Sequence, residues 1–344
     1  IVIHTEPLPL VEVCFFKKTA YRRVGSVNEE LSGGALVRFL QQRGTVSFEE
    51  NKSAAKIDEL SAEKINGLLT KRGIKIEDHK PLNIVSILES FGVANNVGDF
   101  YLKNAAVLFF ATTIEHYLSN AEIRIVKYRG KEKTIEARQE DIRMYDTLPE
   151  LLNQSYKYVL QKAGKFGRIV DGTREEVSMV PEVVLREALT NAVGHRDYFD
   201  PNGILIEIFD DRIEITNPGG LLPGQTLKNL PEMRRHRNPI IYRLLNDSQW
   251  GEGLNLGIKS MYRIMRQNKL PDPLFEDFGG MFKLTLYGLL SNKKHRPYGV
   301  ISTRQNKAVE YLKKHEWLSA PVYSKMVSVS HPTGIVDLND LVAQ

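Results

Sequence analysis

The segment from Pro181 to Asp197 constrains the fold more than any other part of this chain. Apolar residues recur through it at helical spacing and a proline stands in its first turn, so the pattern predicts one amphipathic helix. Glu187, Asn191 and His195 are four residues apart, and they therefore lie along one face of that helix. A carboxylate, an amide and an imidazole in this row could position a water, a metal ion and a phosphate. The alternative is a solvated polar face without a ligand.

The residues after this helix predict a β-hairpin and a glycine turn. Segments 203–209 and 212–216 alternate apolar and polar residues, and Asp210-Asp211 forms the tight turn between them. The loop Asn217-Pro218-Gly219-Gly220 follows at once. Two adjacent glycines let the backbone approach a ligand closely, so this loop is a candidate binding element.

A second glycine turn follows a long basic loop. The loop carries the run Arg234–Arg237, and the glycines of residues 251–257 then open a helical pattern that extends to Gln267. Amide groups at a helix start hold phosphate oxygens, and the helix dipole favours their negative charge. Residues 281–287 close the segment with another alternating strand.

This order of elements resembles the GHKL ATPase fold of gyrase and histidine kinases. More closely, it resembles the divergent GHKL-like module of proteins described as RecG-related helicases or transcriptional regulators. The stretches that carry the resemblance are Glu187–Tyr198, Ile215–Gly220, Arg237–Pro239 and Gly251–Gly257, within a module that spans residues 145–290. The resemblance implies an α+β chain with a GHKL-like α/β sandwich, in which helices cover a mixed sheet.

The resemblance also implies roles for individual residues. ATP or a related nucleotide with Mg²⁺ would be the cofactor, Glu187 would act as the general base on an attacking water, and Asn191 would ligate the Mg²⁺. The loop around Arg234–Arg237 would act as a lid. The nucleotide-binding residues implied in this way are Asn191, His195, Arg196, Asn217, Gly219, Gly220, Arg237, Gly251, Gly253 and Gly257.

Asn217 departs from the GHKL pattern, which usually has an aspartate here to accept a hydrogen bond from the adenine amine. An amide can accept from that amine and donate to the ring nitrogen, but it forms no charge-assisted bond, so adenine selectivity stays open. His195 could contact phosphate or be bonded to backbone, and both alternatives stay open. Asp197 is expected to cap the helix or to pair with Arg196.

A motor helicase is excluded for this chain. Such an enzyme needs a phosphate-binding loop of the pattern G-x-x-x-x-G-K-[ST], and the sequence does not contain one. The predicted function is a DNA-binding transcriptional regulator in which the nucleotide acts as a switch. Two alternatives stay open: a slow GHKL-type ATPase, and a degenerate GHKL scaffold used only for dimerisation.

Residues 1–45 predict short strands, and Tyr21–Asn28 resembles the end of an AlbA/Schlafen-type nucleic-acid-binding domain. In that family this module precedes the GHKL-like one. Arg22, Arg23 and Ser26 could contact phosphate, or the charges could mark an edge strand that avoids aggregation. The chain does not start with methionine, so we expect the N-terminal part of this module to be missing.

Residues 46–145 predict an α/β connecting region. Its pattern favours helices at 82–92 and 104–118 and a strand at 121–128. Nothing in this region carries chemistry, so we interpret it as a scaffold that continues into the GHKL-like domain at 146–290.

Residues 303–344 predict three helices, at 304–314, 320–327 and 331–342, after a linker at 290–302. They resemble a winged helix-turn-helix whose wing is missing, which implies that the third helix enters the major groove of DNA. The DNA-binding residues implied in this way are Ser330, His331, Thr333 and Lys325.

The charge of the third C-terminal helix argues against tight DNA binding. Asp337 and Asp340 are acidic, and phosphate neutralisation dominates the affinity of proteins for DNA. The alternative is a helical module that mediates dimerisation or another protein contact, since three packed helices do not by themselves specify DNA.

The composition allows anionic partners and excludes several other classes. The 344 residues carry a net charge of +5, which permits nucleic acid and nucleotide ligands. Cys14 is the single cysteine, so an intrachain disulfide and a cysteine-rich zinc site are excluded. The sequence has no apolar run of about 18 residues and no signal peptide, so we expect no membrane span and a cytoplasmic location. A homodimer would match a two-fold DNA operator.

Overall fold

The computed structural model describes residues 15–342 except 18, 25–26, 43–45, 75–82, 119, 171–172, 233–234, 249, 251–256, 279, 289–302, 313–314 and 316. The predictions for Cys14, Ser26, Arg234, Gly251 and Gly253 lie outside the described residues. Within those residues, no helix is both long enough and apolar enough to span a lipid bilayer.

A small antiparallel sheet and one helix form the N-terminal part. Its elements are β1 (Phe15–Phe16), β2 (Thr19–Val24), β3 (Val27–Leu31) and α1 (Gly33–Gln42), with the strands in sequence order. Arg22 Nε donates a hydrogen bond of 2.7 Å to Glu29 Oε2 on the neighbouring strand. An exposed pair of this kind contributes about 1 kcal/mol or less to stability. The structure therefore places Arg22 in a surface cross-strand pair, and it does not describe the side chain of Arg23.

The connecting region folds into short helices around a two-stranded sheet. Its elements are α2 (Ala62–Lys71), α3 (Ile84–Ser90), β4 (Ala94–Asn95), β5 (Tyr101–Leu102) and α4 (Asn104–Phe110). Sequence spacing predicts that the last helix extends to residue 118, but it ends at Phe110. Ser61 donates its N–H to Phe110 O (2.7 Å), and Thr112 donates its N–H to Glu59 O (3.0 Å). The backbone after α4 therefore bonds to a distant segment instead of continuing the helix.

A mixed six-stranded sheet and its helices form the centre of the molecule. The elements are β6 (Glu122–Tyr128), β7 (Arg138–Tyr145), α5 (Leu148–Ala163), β8 (Lys165–Val170), β9 (Thr173–Ser178), α6 (Glu182–His195), β10 (Ile204–Ile208), β11 (Arg212–Pro218), α7 (Pro239–Asp247), α8 (Gly257–Gln267), β12 (Leu274–Phe278) and β13 (Met281–Tyr287). The strand order is β12-β13-β11-β10-β6-β7, in which β10 and β6 are parallel and the other neighbours antiparallel. The predicted α+β class and mixed sheet are confirmed.

Helix α6 is fixed at the centre of the main core. It contacts α5, α7, α8 and strand β11. Its apolar side chains pack in one cluster with the isoleucines of the sheet; the members from α6 are Val184, Leu185, Ala188, Leu189, Ala192 and Val193. Full burial of a valine or leucine stabilises a fold by about 1.5–3 kcal/mol. Because this apolar stripe is anchored, the direction of the polar face of α6 is fixed as well.

Strands β7 and β12 are edge strands that sequence alternation does not reveal. Both sides of β7 are rich in charge, and its residues pair across to β6, as in the bonds of Arg124 to Asp141 (2.6 and 2.8 Å) and of Arg143 to Glu122 (2.7 Å). An edge strand with one unpaired rim tolerates charged side chains, because they discourage association with other chains. The alternation of apolar and polar residues is therefore lost.

Three helices form the C-terminal part: α9 (Thr303–Leu312), α10 (Ala320–Val327) and α11 (His331–Val342). Each contacts the other two. A Cβ atom added to Gly334 in α11 would lie 1.9 Å from Ser324 Oγ in α10, so these two helices approach at a glycine. The three predicted helices are present, whereas their identity as a helix-turn-helix stays a prediction.

Candidate functional site

A cavity of about 660 Å³ lies between the polar face of α6 and the face of β11, β12 and β13. Helix α7, the start of α8 and segment 219–237 complete its wall. Glu187, Asn191 and His195 all line it, so the predicted row of polar residues faces a cavity and not bulk solvent. Cavities of about 300–1,000 Å³ are typical of small-molecule sites.

Glu187 is a buried carboxylate whose partners are neutral. Only 2 % of the residue is exposed. Its Oε1 accepts a hydrogen bond of 3.0 Å from Asn191 Nδ2, and its carboxylate accepts from the N–H of Gly257. Burial raises the pKa of Glu187, and these two hydrogen bonds oppose the effect. A carboxyl group with a raised pKa is suited to accept a proton near neutral pH.

Asn191 presents its amide in a defined direction. Because its Nδ2 donates to Glu187, its Oδ1 points away from that carboxylate. Amide and carboxylate oxygens are ligands that Mg²⁺ accepts, usually together with phosphate oxygens and waters. Among the described residues, no group of three or more His, Cys, Asp or Glu side chains could hold a metal ion without such help. The residues present therefore fit a metal that arrives with a phosphate ligand.

The cavity has two ends along α6. Glu187 and His195 are eight residues apart, which corresponds to about 12 Å along a helix axis. Gly257 begins α8 at the Glu187 end. At the other end the first glycine turn lies against the residues that follow α6, because the N–H of Asp197 donates to Pro218 O (2.8 Å).

The first glycine turn can be built only with small residues. Gly219 has φ +96°, and a Cβ atom there would lie 2.9 Å from the Cβ of Asp197. A Cβ atom on Gly220 would lie 2.5 Å from Asp277 Oδ1. Both glycines line the cavity, and the predicted close approach of their backbone to a ligand stays a prediction.

Arg237 closes this turn from the side of segment 219–237. Its Nη2 donates to Gly220 O (2.9 Å), and its Nη1 lies 3.8 Å from Asp197 Oδ2. Asp197 also accepts the N–H of Phe199 (3.0 Å). The expected pairing of Asp197 with Arg196 is therefore replaced by a pairing with Arg237, which lines the cavity.

Arg196 does not line the cavity. It is 1 % exposed, and its Nη2 donates to the backbone oxygens of Asn120 (2.8 Å), Asp200 (3.3 Å) and Asn202 (2.7 Å). These bonds tie the loop after α6 to Asn120, which precedes β6. Because Arg196 is buried away from the cavity, the expectation that it binds the nucleotide is wrong.

His195 forms an aromatic cluster with His236 of segment 219–237 and Tyr242 of α7. The ring centroids of His195 and His236 are 5.3 Å apart, and His236 stacks on Tyr242 at 3.7 Å. Burial, together with the neighbouring His236 and Arg237, lowers the pKa of His195 to about 3. Both imidazoles are therefore neutral at physiological pH, since burial also lowers the pKa of His236. A contact of His195 with phosphate would be that of a neutral group.

In the described part of segment 219–237, which includes the end of the predicted lid around Arg234–Arg237, side chains bond to backbone within the segment. Thr226 and Asn229 exchange two bonds between backbone N–H and side-chain oxygen (2.7 and 3.2 Å). Arg235 Nη1 donates to Pro223 O (2.9 Å). Outside the segment, Lys259 of α8 pairs with Glu232 at 2.6 Å. This exposed ion pair links the segment to the helix start that follows the second glycine turn.

The sequence pattern misses α7, which supplies Tyr242, Arg243 and Asn246 to the cavity. Asn238 Nδ2 donates to Gly194 O (3.1 Å) and Arg196 O (2.8 Å), so it closes the C-terminal end of α6. Asn-Pro before an apolar run at helical spacing is a helix-start signal that could have revealed α7.

Glu49 is a second residue that sequence patterns miss. It is buried in the connecting region, and its two carboxylate oxygens accept the N–H groups of Ile240 (2.9 Å) and Ile241 (2.7 Å) at the start of α7. Burial raises the pKa of Glu49 to about 7, against the effect of those two bonds. A carboxylate at a helix start holds free amide groups, so Glu49 fixes the helix that forms one cavity wall. No local signal could have found a contact over 191 residues.

The predicted DNA-binding residues share one exposed region. Ser330 and His331 are exposed at the start of α11, and Lys325 is exposed on α10. Ser330 Oγ and Thr333 Oγ1 are 2.8 Å apart, and Ser330 Oγ accepts the N–H of Thr333 (3.4 Å). These bonds cap the helix and leave its first turn accessible.

Asp337 is not part of the exposed face of α11. It is 1 % exposed, and its carboxylate pairs with Arg304 Nε at 3.1 Å and accepts the hydroxyl of Tyr323 (3.2 Å). Its charge is therefore neutralised inside the helical module. The expectation that Asp337 repels DNA phosphates is corrected, because sequence does not show which way its side chain points.

Part of this chain matches a known family. The family described as "Putative ATP-dependent DNA helicase recG C-terminal" matches residues 202–286. The match includes β10 to β13, α7, α8 and segment 219–237, and it begins after α6, so that Glu187 and Asn191 lie outside it. No curated protein matches the sequence at a significant level.

One solved structure is similar over most of the chain. The crystal structure of the DIP2311 protein from Corynebacterium diphtheriae matches with a TM-score of 0.54 and 15 % sequence identity, over 94 % of this chain and 65 % of that one. At this identity the likeness shows the fold alone, and this chain spans less than two thirds of that protein. The family match alone shows that residues 202–286 are similar to RecG-related, ATPase-like domains.

Proposed function

We propose that this chain binds a purine nucleotide with Mg²⁺ in the cavity beside α6 and uses the bound state to regulate DNA binding. The observation that carries the proposal is the position of Glu187, Asn191 and the N–H of Gly257 at one end of a cavity of about 660 Å³. An acid, an amide oxygen and a helix start are the groups that a water, a metal ion and a phosphate require.

The two ends of the cavity suit the two ends of a nucleotide. Phosphates fit the Glu187 end, where the start of α8 offers backbone N–H groups and Lys259 lines the wall. The base fits the apolar part of the wall on the sheet, which includes Ile215 and Leu284. Mg²⁺ would supply charge neutralisation of the phosphates, and Asn191 would hold it in place. Arg237, bonded to the first glycine turn, would keep that turn closed over the ligand.

The regulatory part of the proposal depends on segment 219–237 and on the C-terminal helices. The segment touches both the first glycine turn and α8, through Arg237 and Glu232. A ligand that contacts this segment in only one arrangement shifts its population toward that arrangement. Helices α9 to α11 would then read DNA through the exposed residues Ser330, His331 and Lys325. The neutralised Asp337 removes one charge that would oppose this binding.

Slow hydrolysis is a second candidate function, and Glu187 favours it. A general base needs burial, a raised pKa and a position beside the phosphate, and Glu187 has the first two. In this reading the carboxylate accepts a proton from the water that attacks the terminal phosphate. The bonds from Asn191 and Gly257 orient the carboxylate for that transfer.

Calorimetric titration with ATP, ADP and their 6-oxo analogues, with and without Mg²⁺, tests binding. We expect heat and thermal stabilisation that increase when Mg²⁺ is present. Anisotropy of a labelled duplex, at two salt concentrations and with or without nucleotide, tests regulation, and we expect the DNA affinity to change by about threefold or more, which is a coupling free energy of the usual size. Absence of heat and of stabilisation for every purine nucleotide would eliminate the proposal and would leave a scaffold for dimerisation.

A further inference from the structure

Helix α7 places polar side chains on the cavity wall, while its apolar side packs into the main core. The polar residues on the wall are Tyr242, Arg243 and Asn246. Arg243 is the cation among them, and a guanidinium keeps its proton at every physiological pH. Arg243 is also exposed, so it lies where the cavity opens to solvent. From this position a cation can meet an anionic ligand.

The charge of Arg243 is not neutralised by an acid. Among the residues that the structure describes, none forms an ion pair with it, and its hydrogen bond runs from Nη2 to the backbone oxygen of Phe91. Two other cations of the cavity wall differ, since Arg237 lies beside Asp197 and Lys259 pairs with Glu232. A carbonyl is a neutral acceptor, so Arg243 keeps its positive charge for a ligand.

The acceptor of this bond lies in the connecting region, at the end of α3. Phe91 is the residue that follows α3, and it is fully buried. The next residue, Gly92, has φ +72°, and a Cβ atom there would lie 2.7 Å from Arg243 Nη2. The guanidinium therefore lies directly against the backbone of this turn, and a glycine permits the approach.

A second contact joins α7 to the same turn. Arg72, which follows α2, lies over the ring of Phe91 with 4.5 Å between its Cζ and the ring centroid. Its Nε donates to Asp247 Oδ2 (3.0 Å), one helical turn after Arg243. Helix α7 is thus held to the turn at Phe91 by Arg243 and by Asp247. Of these two residues, Arg243 lines the cavity and Asp247 does not.

We propose that Arg243 binds a phosphate of the ligand and thereby couples the cavity to the connecting region, an inference that rests on the nucleotide function proposed above. Hydrogen bonds from arginine to phosphate are charge-assisted on both sides and often bidentate, so they are stronger than a bond to a neutral carbonyl. A bound phosphate therefore draws the guanidinium away from the oxygen of Phe91. The turn after α3 then loses one of its two contacts with α7, and in this way the connecting region responds to the ligand.

Hydrogen exchange at the turn after α3 tests this coupling, with calorimetry of the same samples as the measure of binding. The amides of Phe91, Gly92 and Val93 bond to oxygens of α3 and are the probes. When wild-type protein is saturated with ATP and Mg²⁺, we expect these amides to exchange about fivefold faster or more, which corresponds to a coupling of ordinary size.

Arg243→Gln removes the charge and shortens the side chain. We expect its free form to exchange at these amides as fast as the nucleotide-bound wild type, and ATP to cause no further increase. Its affinity for ATP should fall about tenfold, because a charged hydrogen bond to phosphate is lost. The matched control is Arg263→Gln on α8, an exposed arginine that does not line the cavity. It should behave as wild type in both measurements.

Arg72→Met separates this coupling from a merely structural role of the interface. It removes the bond to Asp247 but leaves the cavity wall intact. We expect faster exchange after α3 in its free form, an unchanged affinity for ATP, and a further increase in exchange when ATP binds.

Three results would overturn the inference. The first is a wild-type protein that binds ATP without any change in exchange at the turn after α3. The second is an unchanged affinity in Arg243→Gln, and the third is a loss of affinity in Arg72→Met as large as that in Arg243→Gln. If calorimetry shows that wild-type protein binds no nucleotide, the proposed function fails, and the role of Arg243 fails with it.

Discussion

Glu187 beside the cavity and Asp337 between the C-terminal helices are both buried carboxylates, with 2 % and 1 % of the residue exposed. Asp337 has a cationic partner, since Arg304 Nε lies 3.1 Å away, and it also accepts the hydroxyl of Tyr323. The described partners of Glu187 are neutral: the amide of Asn191 and a backbone N–H.

The two carboxylates differ in how their burial is compensated. The cationic Arg304 of α9 and the hydroxyl of Tyr323 in α10 compensate Asp337 for its desolvation, and these bonds connect α11 to the other two helices. Glu187 gains no such compensation, and burial raises its pKa, so it takes up a proton more readily than an ordinary carboxylate. Perturbed groups in clefts are concentrated at functional sites. Variants of Glu187 and of Asp337 should therefore have different effects.

The largest effect is expected for Glu187→Gln on any hydrolysis of ATP. The amide keeps the shape of the side chain but cannot accept the proton, so we expect phosphate release to fall about a hundredfold or more, to background. Nucleotide affinity and stability should change little, since a neutral group replaces one whose charged form burial disfavours. Phosphate release and calorimetry measure the two quantities. An unchanged rate of release in the variant would refute the role of Glu187 as general base.

Asp337→Asn should show the opposite pattern, a loss of stability without an effect on nucleotide binding. Arg304 is partly exposed and Tyr323 is buried, and weakening the hydrogen bonds that they donate to the Asp337 carboxylate should cost about 1.5–3 kcal/mol. Hydrogen exchange of the backbone amides in α10 and α11 measures the loss where it occurs. Glu187→Gln serves as the control and should leave this exchange unchanged. If the amides of α10 and α11 exchange equally fast in Asp337→Asn and wild type, the contacts of the Asp337 carboxylate do not stabilise these helices.

Gly219→Ala should lower the stability of the protein and its nucleotide affinity more than the same change at Gly224. Both glycines have positive φ, +96° and +83°, so alanine brings backbone strain of about 1–3 kcal/mol at either site. At Gly219 the new Cβ also lies 2.9 Å from the Cβ of Asp197, whereas at Gly224 it meets no atom within 4 Å. Thermal unfolding and nucleotide titration of both variants measure the difference. Equal losses would mean that close approach at the first glycine turn is unimportant.

The pKa of His195 predicts a loss of stability in acid. The folded-state pKa is about 3, against 6.5 for the free side chain, so the unfolded state binds more protons between these values. The stability due to the neutral imidazole is fully present above pH 6.5 and is lost as the pH falls toward 3. His195→Gln removes this component, so its urea midpoint should fall less than that of wild type between pH 7 and pH 5. Parallel pH profiles would contradict the low pKa.

Lys325→Ala should have the smallest effect, on the salt dependence of DNA binding. Loss of one phosphate contact reduces the slope of log affinity against log salt by about 0.9 and weakens binding a few-fold. Lys269→Ala, which removes another exposed lysine at the end of α8, is the matched control. Duplex anisotropy at several salt concentrations gives both slopes. If the two variants have the slope of wild type, the exposed region around α11 does not contact DNA.

The sequence predicts those parts of the centre whose signals are local. Helix α6 follows from its apolar spacing, and its polar row lines the cavity as the spacing of Glu187, Asn191 and His195 indicates. The hairpin of β10 and β11 follows from alternation. Sequence patterns miss the edge strands β7 and β12, because their charged residues interrupt the alternation of apolar and polar residues. They also miss helix α7, which is short and lies in a stretch predicted as a loop.

The chain by itself determines which faces of its helices and strands are apolar and where glycines permit a tight turn, because these depend on neighbouring residues. Only the tertiary structure decides that Asp337 pairs with Arg304, that Arg196 turns away from the cavity, and that Glu49 holds the start of α7. Each of these contacts depends on sheet register and helix packing over long chain separations. Local periodicity carries no information about such distances, since it fixes the direction of a side chain only relative to its own element.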